Sequence, residues 1–369
     1  MSRTHGEGTI VQRKDGRWQA SLMVGGVRRT AYALSRREAV AKLAELKRQA
    51  TAGLPDPGRR TVADLLDAWL KAAEPNLRPK TVEGYRHICA KHVVPALGNV
   101  RLSQLEPALV EAFVAKLQAS GRRRTAQRVF AVLHRACSFA VRWRWLAENP
   151  MDRVQRPQWQ PGERRLWGAE QASVFLKAVL AGEGGQYACL LGFLLASGCR
   201  IGEALGLRWA DVDFVSGTIH IERQITQVRG KPIEGRPKTQ SGIRTIALPA
   251  WGVELLRRQK AQVNEWRLQS GHAHDWPGRV FPTCTGTVPL QGNIRRALRE
   301  LSRKLGLPAV TPHSLRHISL SLLAGAGVPL KDLQRRAGHA TARMTLDVYL
   351  HALAEGDRRA ADALEALVK

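Results

Sequence analysis

Acidic side chains are scarce in this 369-residue sequence: 31 Asp and Glu face 58 Lys and Arg, leaving a net charge of +27. Paired cysteines are missing as well. Cys89, Cys137, Cys189, Cys199 and Cys284 are scattered, with no C-x-x-C pair and no Cys/His spacing of metal-ligand type. That pattern argues against a disulfide framework and a structural zinc site, and it fits a reducing compartment. Long apolar runs are also absent. The longest, around Tyr187 to Ala196, falls well short of the roughly 20 residues a membrane helix requires. The first residues show no signal-peptide pattern. A cytoplasmic protein with no membrane attachment, metal or cofactor is expected. No internal repeat or low-complexity tract is found.

What is there is ordinary in hydrophobic content, 44%, and long enough for two or three domains with separate cores. The charge balance is the unusual part. A positive excess of this size repels itself in a compact state unless a polyanion offsets it, so nucleic acid is the first partner to consider. A basic protein from an arginine-rich proteome would carry the same excess without that partner. The charge is spread, however: residues 1–55 hold 11 basic and 4 acidic side chains, and residues 60–158 hold 17 and 8. A single basic tail would read as a tether. Basic character throughout reads as several domains touching DNA at once.

Three segments follow from the patterning. In the first, Asp15-Gly16 and Gly25-Gly26 are turn signals around a strand from Trp18 to Val24, with neighbours at Gly8–Gln12 and Val27–Ala33. Ser35 and Glu38 form a capping box for a helix running to about Ala50, and Gly53–Gly58 is a linker. Such a module either lays its sheet in a DNA groove or is an appendage with a solvated basic face. The second segment is helical. Thr61 to Asp64 opens a helix with Leu65, Leu66, Trp69 and Leu70 at helical spacing; Pro79 opens another, and two more cover about 108–118 and 122–145. Arg122, Arg123 and Arg124 sit at the start of the last, with Arg128, Arg135 and Arg142 continuing at sevenfold spacing. They either follow a phosphate backbone or form a solvated face. Trp69, Trp143 and Trp145 read as packing residues. Residues 153–165 look like an inter-domain linker. The third segment, about 166–369, is helical except for alternating stretches at Thr218–Arg223 and Ile243–Leu248.

Cleaving a phosphodiester without metal requires a nucleophile, cationic donors for the charge developing on the non-bridging oxygens, and an acid for the leaving alkoxide. The third segment holds these in a recognisable order. Ala196-Ser-Gly-Cys-Arg200-Ile-Gly-Glu203, continuing to Leu-Arg-Trp, resembles the first signature of the tyrosine recombinase family of phage-integrase type. Pro237-Lys238-Thr-Gln-Ser-Gly-Ile-Arg-Thr-Ile is similar to its β-hairpin lysine motif. His313-Ser-Leu-Arg316-His317 resembles the His-x-x-Arg box, and Gly338-His339 followed by Tyr349 resembles the closing motif. Each alone is weak, but their order makes the resemblance specific. Ala337 and Ile318 depart from the residues common at those positions, leucine and threonine, which bears on local packing.

The resemblance implies a mainly α fold with small β-sheets (α+β) in three domains: an arm-site-binding domain over 1–55, a helical core-site-binding domain over 60–153 and a mixed α/β catalytic domain over 165–369. It implies Tyr349 as nucleophile forming a 3′-phosphotyrosine, Arg200 and Arg316 on the scissile phosphate, and Lys238 as the acid for the 5′-oxygen. His313 would assist proton transfer from the tyrosine, His339 would hydrogen-bond the phosphate, and Glu203 would support the site. An ordinary phenol loses its proton at about pH 10, so nearby cations must favour phenolate character. Arg200 with Glu203 also reads as an i,i+3 surface ion pair. His317 reads as packing or phosphate-orienting rather than as a second catalytic histidine; His220, His272, His274 and His351 lie off the motifs. The implied partners are double-stranded DNA at core and arm attachment sites, a homotetramer, an excisionase and a host DNA-bending protein. Residues 350–369 carry a helical apolar stripe that docks on a neighbouring protomer or packs in cis. A type IB topoisomerase, and a catalytically inactive DNA-binding protein of the same fold, are the alternatives.

Overall fold

Alternating residues near the start of the chain form three antiparallel strands, β1 (Thr9–Gln12), β2 (Trp18–Val24) and β3 (Val27–Ala33), in the order β1-β2-β3. The computed structural model describes residues 8–24, 27–51, 60–160, 166–237, 239–269, 278–341 and 346. The expected Gly25-Gly26 turn, Lys238, His272, His274, Tyr349, His351 and the 350–369 helix therefore lie outside the described residues. Gly16 has a φ of +81°, which a glycine adopts without the steric cost of a Cβ. Helix α1 (Arg36–Thr51) follows. Its start departs from the expected box in one respect. Ser35 Oγ accepts from the Glu38 N–H, but the Glu38 carboxylate takes the Leu34 N–H rather than that of Ser35. Ala20, Ala33 and Ala39 form a small core of the sheet and α1.

The second segment contains α2 (Val62–Ala73), α3 (Pro79–Ile88), α4 (Val94–Leu97), α5 (Pro107–Ala119) and α6 (Arg123–Arg142). At the head of α2, Thr61 Oγ1 accepts from the Asp64 N–H and Asp64 Oδ2 accepts from the Thr61 N–H. Val62, Leu65, Leu66 and Trp69 bury one face of that helix. Helix α6 buries Ala126, Val129, Phe130, Leu133, Ala136 and Cys137 in the same core and ends three residues earlier than expected. Arg144, at φ +58°, carries the chain out of the helix, and the Trp145 N–H returns to the Ala140 carbonyl at 2.7 Å, closing the last turn. Trp69 is in the core and Trp145 packs against it. Trp143 differs: it is 53% exposed, with one face on Phe139 at 4.5 Å between ring centroids. The expected linker also starts later. Met151 and Val154 belong to the helical core, and the chain divides into two compact units at residues 162 and 163.

The second unit is built around α8 (Ala188–Ser197), preceded by α7 (Ala169–Leu180) and followed by α9 (Ile201–Gly206). Every residue of α8 is buried. The longest apolar run is thus a core helix, and among the described residues no single helix is long and apolar enough to cross a membrane. Strands β4 (Val212–Asp213), β5 (Thr218–Ile221), β6 (Gln224–Val228), β7 (Lys231–Gly235) and β8 (Arg244–Ala247) come next. They make an antiparallel β4-β5-β8 sheet and a separate β6-β7 hairpin. The hairpin is not among the elements expected from the sequence, although its two-residue turn, Arg229 at φ +50° and Gly230 at φ +78°, has the positive dihedrals that tight hairpins require. Helices α10 (Ala250–Gln269), α11 (Gln291–Lys304), α12 (Pro312–Gly325) and α13 (Leu330–Ala337) complete the described unit. Ile318 and Ala337, the two departures from the family pattern, are both fully buried in apolar clusters.

Candidate active site

Gly198 ends α8 at φ +63° and Arg200 caps α9 in an extended conformation. One helical turn on, Glu203 accepts from Arg200 twice: Oε2 from the backbone N–H at 2.9 Å and Oε1 from Nη1 at 2.8 Å. The i,i+3 pair is therefore real but is not a surface pair. The Glu203 side chain is 1% exposed, while that of Arg200 is 35% exposed. A buried carboxylate needs full compensation, and a third partner supplies it. Arg244, from β8, donates Nη2 to Glu203 Oε2 at 2.9 Å.

Arg244 stands within the lysine motif, and no role is expected of it from the sequence. Its strand nevertheless carries the signal: burial alternates along β8, so Arg244 shares the inward face with Ile246, and it pairs with Ile221 across β5. An arginine at a core-facing position of an alternating strand marks a buried ionic site. Arg244 Nε also donates to the Arg336 carbonyl at 2.7 Å and Nη1 to the Gly242 carbonyl at 2.9 Å. Arg336, likewise without an assigned role, donates Nη2 to the Ala196 carbonyl and Nη1 to the Ala247 carbonyl, joining α13 to the end of α8 and to β8.

Thr311 caps α12, accepting from the Ser314 N–H, and the helix carries His313, Arg316 and His317. Arg316 is 1% exposed. Its Nη1 donates to the Gly198 carbonyl at 2.8 Å and its Nη2 to the Ala337 carbonyl. One planar fork thus spans two motifs far apart in sequence, touching the chain two residues before Arg200 and two residues before His339. Burial, followed by the Arg200 charge, lowers the Arg316 pKa to about 10. Burial alone would push the Glu203 carboxyl up; Arg244 first, then Arg200, hold it below its ordinary value.

Gly338 ends α13 at φ +63°, and a Cβ there would stand 2.8 Å from the Ser241 carbonyl oxygen and 2.9 Å from Arg244 Nη1. Only glycine fits both the dihedral and the space. His339 follows, 7% exposed. Burial, then the Arg316 and Arg200 charges, depress its pKa from 6.5 to about 4, so the imidazole is neutral near pH 7. His313 is exposed, and its ring meets that of His317 edge-on at 4.6 Å. His220 is off the site, its Nδ1 3.2 Å from Thr245 Oγ1.

Arg200, Glu203, Arg316 and His339 are thus gathered around a buried cationic cluster that holds one carboxylate. This arrangement suits an anion that shares two or more negatively charged oxygens among guanidiniums. The α6 arginines are a different population. Arg122, Arg123, Arg124, Arg128, Arg135 and Arg142 are all exposed, on the side away from the helical core. Two lean on aromatic rings of their own unit, Arg124 over Trp159 at 5.1 Å and Arg135 over Tyr85 at 5.5 Å. Among the described residues no group of His, Cys, Asp and Glu could hold a metal ion.

Residues 169–355 match the model of the phage integrase family, and residues 61–118 match that of the phage integrase N-terminal SAM-like domain. An integrase of Streptomyces ambofaciens is 32% identical over 363 residues, spanning 94% of this chain and 92% of that protein. The Tn1549 transposon integrase, solved in complex with transposon right end DNA, is similar with a TM-score of 0.66 and 23% identity, over 83% of this chain and all of that one. A lambda integrase dimer bound to a core site is similar with a TM-score of 0.59 and 16% identity, over 95% of this chain and 96% of that one. At these identities the two solved structures speak to the fold.

Proposed function

The chain belongs to the phage integrase family of tyrosine recombinases, and from that premise we propose how its residues divide the reaction. Tyr349 attacks the scissile phosphorus. As its O–P bond forms, the P–O5′ bond breaks, leaving a 3′-phosphotyrosine and a free 5′-hydroxyl. Lys238 gives a proton to the departing 5′-oxygen, and His313 helps to accept the phenolic proton. Arg200 and Arg316 hold the non-bridging oxygens with their planar forks, where the developing charge needs donors that are already oriented. His339, neutral near pH 7, donates one N–H to the phosphate. Glu203 fixes Arg200. The new bond is again a phosphodiester, so the 5′-hydroxyl of another strand can displace the tyrosine without ATP.

The observation that carries this reading is the double attachment of Arg316, to the Gly198 and Ala337 carbonyls. It ties the first and last motifs to one buried cation. A protein that only bound DNA would have no use for a neutral histidine and a shared carboxylate buried beside it.

The substrate in this proposal is double-stranded DNA, as in the two solved neighbours that are DNA complexes. The chain reads as three domains: residues 1–55 on arm sites, 60–153 on core sites with the α6 arginines on phosphates, and 165–369 performing the chemistry. It works as a homotetramer on two duplexes, with an excisionase and a host DNA-bending protein setting direction. The 350–369 segment docks on a neighbouring protomer.

The test is a suicide duplex carrying the attachment core and a nick that lets the 5′ fragment diffuse away. Wild type should accumulate a covalent protein–DNA adduct and Tyr349→Phe none. No adduct with wild type, or one that persists in Tyr349→Phe, overturns the assignment. Holliday junctions on adding a second duplex separate strand exchange from simple relaxation of supercoils.

A further inference from the structure

The β6-β7 hairpin lies immediately before Lys238 in the chain, and a carboxylate on it is held by two arginines that the reaction does not otherwise use. Glu234, on β7, receives Arg208 Nη2 on Oε1 at 2.9 Å and Arg279 Nη2 on Oε2 at 3.0 Å. Those arginines are neighbours by backbone pairing. Residues 208 and 279 form an antiparallel bridge, with the Trp209 N–H on the Gly278 carbonyl and the Val280 N–H on the Leu207 carbonyl. Like charges on directly opposed positions destabilise each other, and Glu234 is the carboxylate that bridges them. The Glu234 side chain is 30% exposed; its partial burial would push the carboxyl up, but Arg279 and then Arg208 hold it below the ordinary range.

The other strand is anchored as well. Gln227, on β6, donates Nε2 to the Pro289 carbonyl at 2.8 Å and accepts from the Gln291 N–H at 3.0 Å. Strand β6 also lies hard against α9, the helix capped by Arg200: a Cβ on Gly202 would come 2.7 Å from the Ile225 carbonyl oxygen. After β7, Gln224 Nε2 donates to the Arg236 carbonyl at 3.2 Å, and Pro237 sits where a Cβ on Gly242 would meet it at 2.5 Å. The path from Glu234 toward residue 238 is thus held at successive points.

We infer that Glu234 is a positioning residue for the leaving-group acid: the Arg208–Glu234–Arg279 clamp fixes the base of the hairpin that precedes Lys238 in the chain. This rests on the assignment of Lys238 as that acid. General acid catalysis is sensitive to placement, since a misplacement of about 1 Å costs up to roughly 10²-fold. The prediction is therefore a loss confined to the step that needs the proton. The proton passes from Lys238 Nζ to O5′ as the P–O5′ bond breaks. Where sulfur replaces O5′, the thiolate leaves without being protonated, because a thiol is far more acidic than an alcohol.

The experiment compares single-turnover cleavage of an ordinary suicide duplex with that of the same duplex carrying a 5′-bridging phosphorothiolate, for wild type, Lys238→Ala and Glu234→Gln. On the ordinary duplex, Glu234→Gln should be slower by about 10-fold or more, with DNA affinity near wild type. On the phosphorothiolate duplex both variants should recover to within about twofold of wild type. If Lys238→Ala is not rescued, the assignment of the acid fails. If Lys238→Ala is rescued and Glu234→Gln is not, or if Glu234→Gln cleaves the ordinary duplex at the wild-type rate, the clamp inference fails and the acid assignment stands. Arg279→Lys, which keeps the charge but loses the fork, should show the same rescue in weaker form. It decides the matter if Glu234→Gln does not fold.

Discussion

The arginines around Glu203 and those along α6 are one residue type in two physical regimes. Arg316 and Arg244 are buried, and their hydrogen bonds run to named carbonyls and to a single carboxylate. Arg122, Arg123, Arg124, Arg128 and Arg135 are exposed, where a charge is hydrated and screened within about 8–10 Å at moderate salt. In the first regime direction matters, because a buried donor that loses its acceptor is left unsatisfied. In the second, charge and number matter, because a phosphate backbone accepts any cation near it. The same residue type thus supplies geometry in one place and, in the proposed role on phosphates, general attraction in the other.

Charge-conserving substitution is the sharpest way to break that comparison. Arg316→Lys keeps the cation but cannot reach two carbonyls and a phosphate at once, so single-turnover cleavage should fall by about 10²–10³-fold. Arg128→Lys should leave cleavage within about twofold. Equal effects at the two positions would remove the distinction. A second expectation concerns His339, whose pKa is about 4 in the folded chain and 6.5 ordinarily. Between those values the unfolded chain binds a proton that the folded chain refuses, so stability is full above the upper value and is lost as pH falls toward the lower one. Urea melts without DNA should show wild type losing on the order of 2 kcal/mol between pH 7 and pH 4.5 beyond any loss in His339→Gln. Parallel curves for the two proteins would refute the buried neutral histidine. The smallest effect belongs to the exposed face: Arg128→Ala should weaken DNA binding alike for all sequences and reduce the slope of log affinity against log salt by about 1.

Much of the site was legible because its pieces are local. Arg200 and Glu203 lie one helical turn apart, and His313, Arg316 and His317 share α12. Gly338 and His339 are adjacent in one motif. The capping residue Thr61 is of the same kind. What was missed lay between segments. Arg244 was quoted within the lysine motif without a role, although its inward parity beside Ile246 was available. The β6-β7 hairpin passed unrecognised because its strands are short and, on β7, wholly exposed, so no apolar alternation marks them. Trp143 was read as core from its spacing, yet α6 ends just before it, and a residue past the last turn no longer follows the helical face.

By itself, then, the sequence determined which residue types are on offer for the proposed chemistry, a tyrosine, a lysine, arginines and histidines, in what order they stand, and which of them ride on a common helix. That follows from periodicity and from residue chemistry, both of which are properties of short stretches. Only the tertiary structure decided that Glu203 is shared between Arg200 and Arg244, that Arg316 joins the Gly198 and Ala337 carbonyls, and that Glu234 bridges Arg208 and Arg279. Those contacts depend on where backbone carbonyls and distant strands arrive in space. A carbonyl belongs to every residue alike, so no residue type announces which one a buried guanidinium will find.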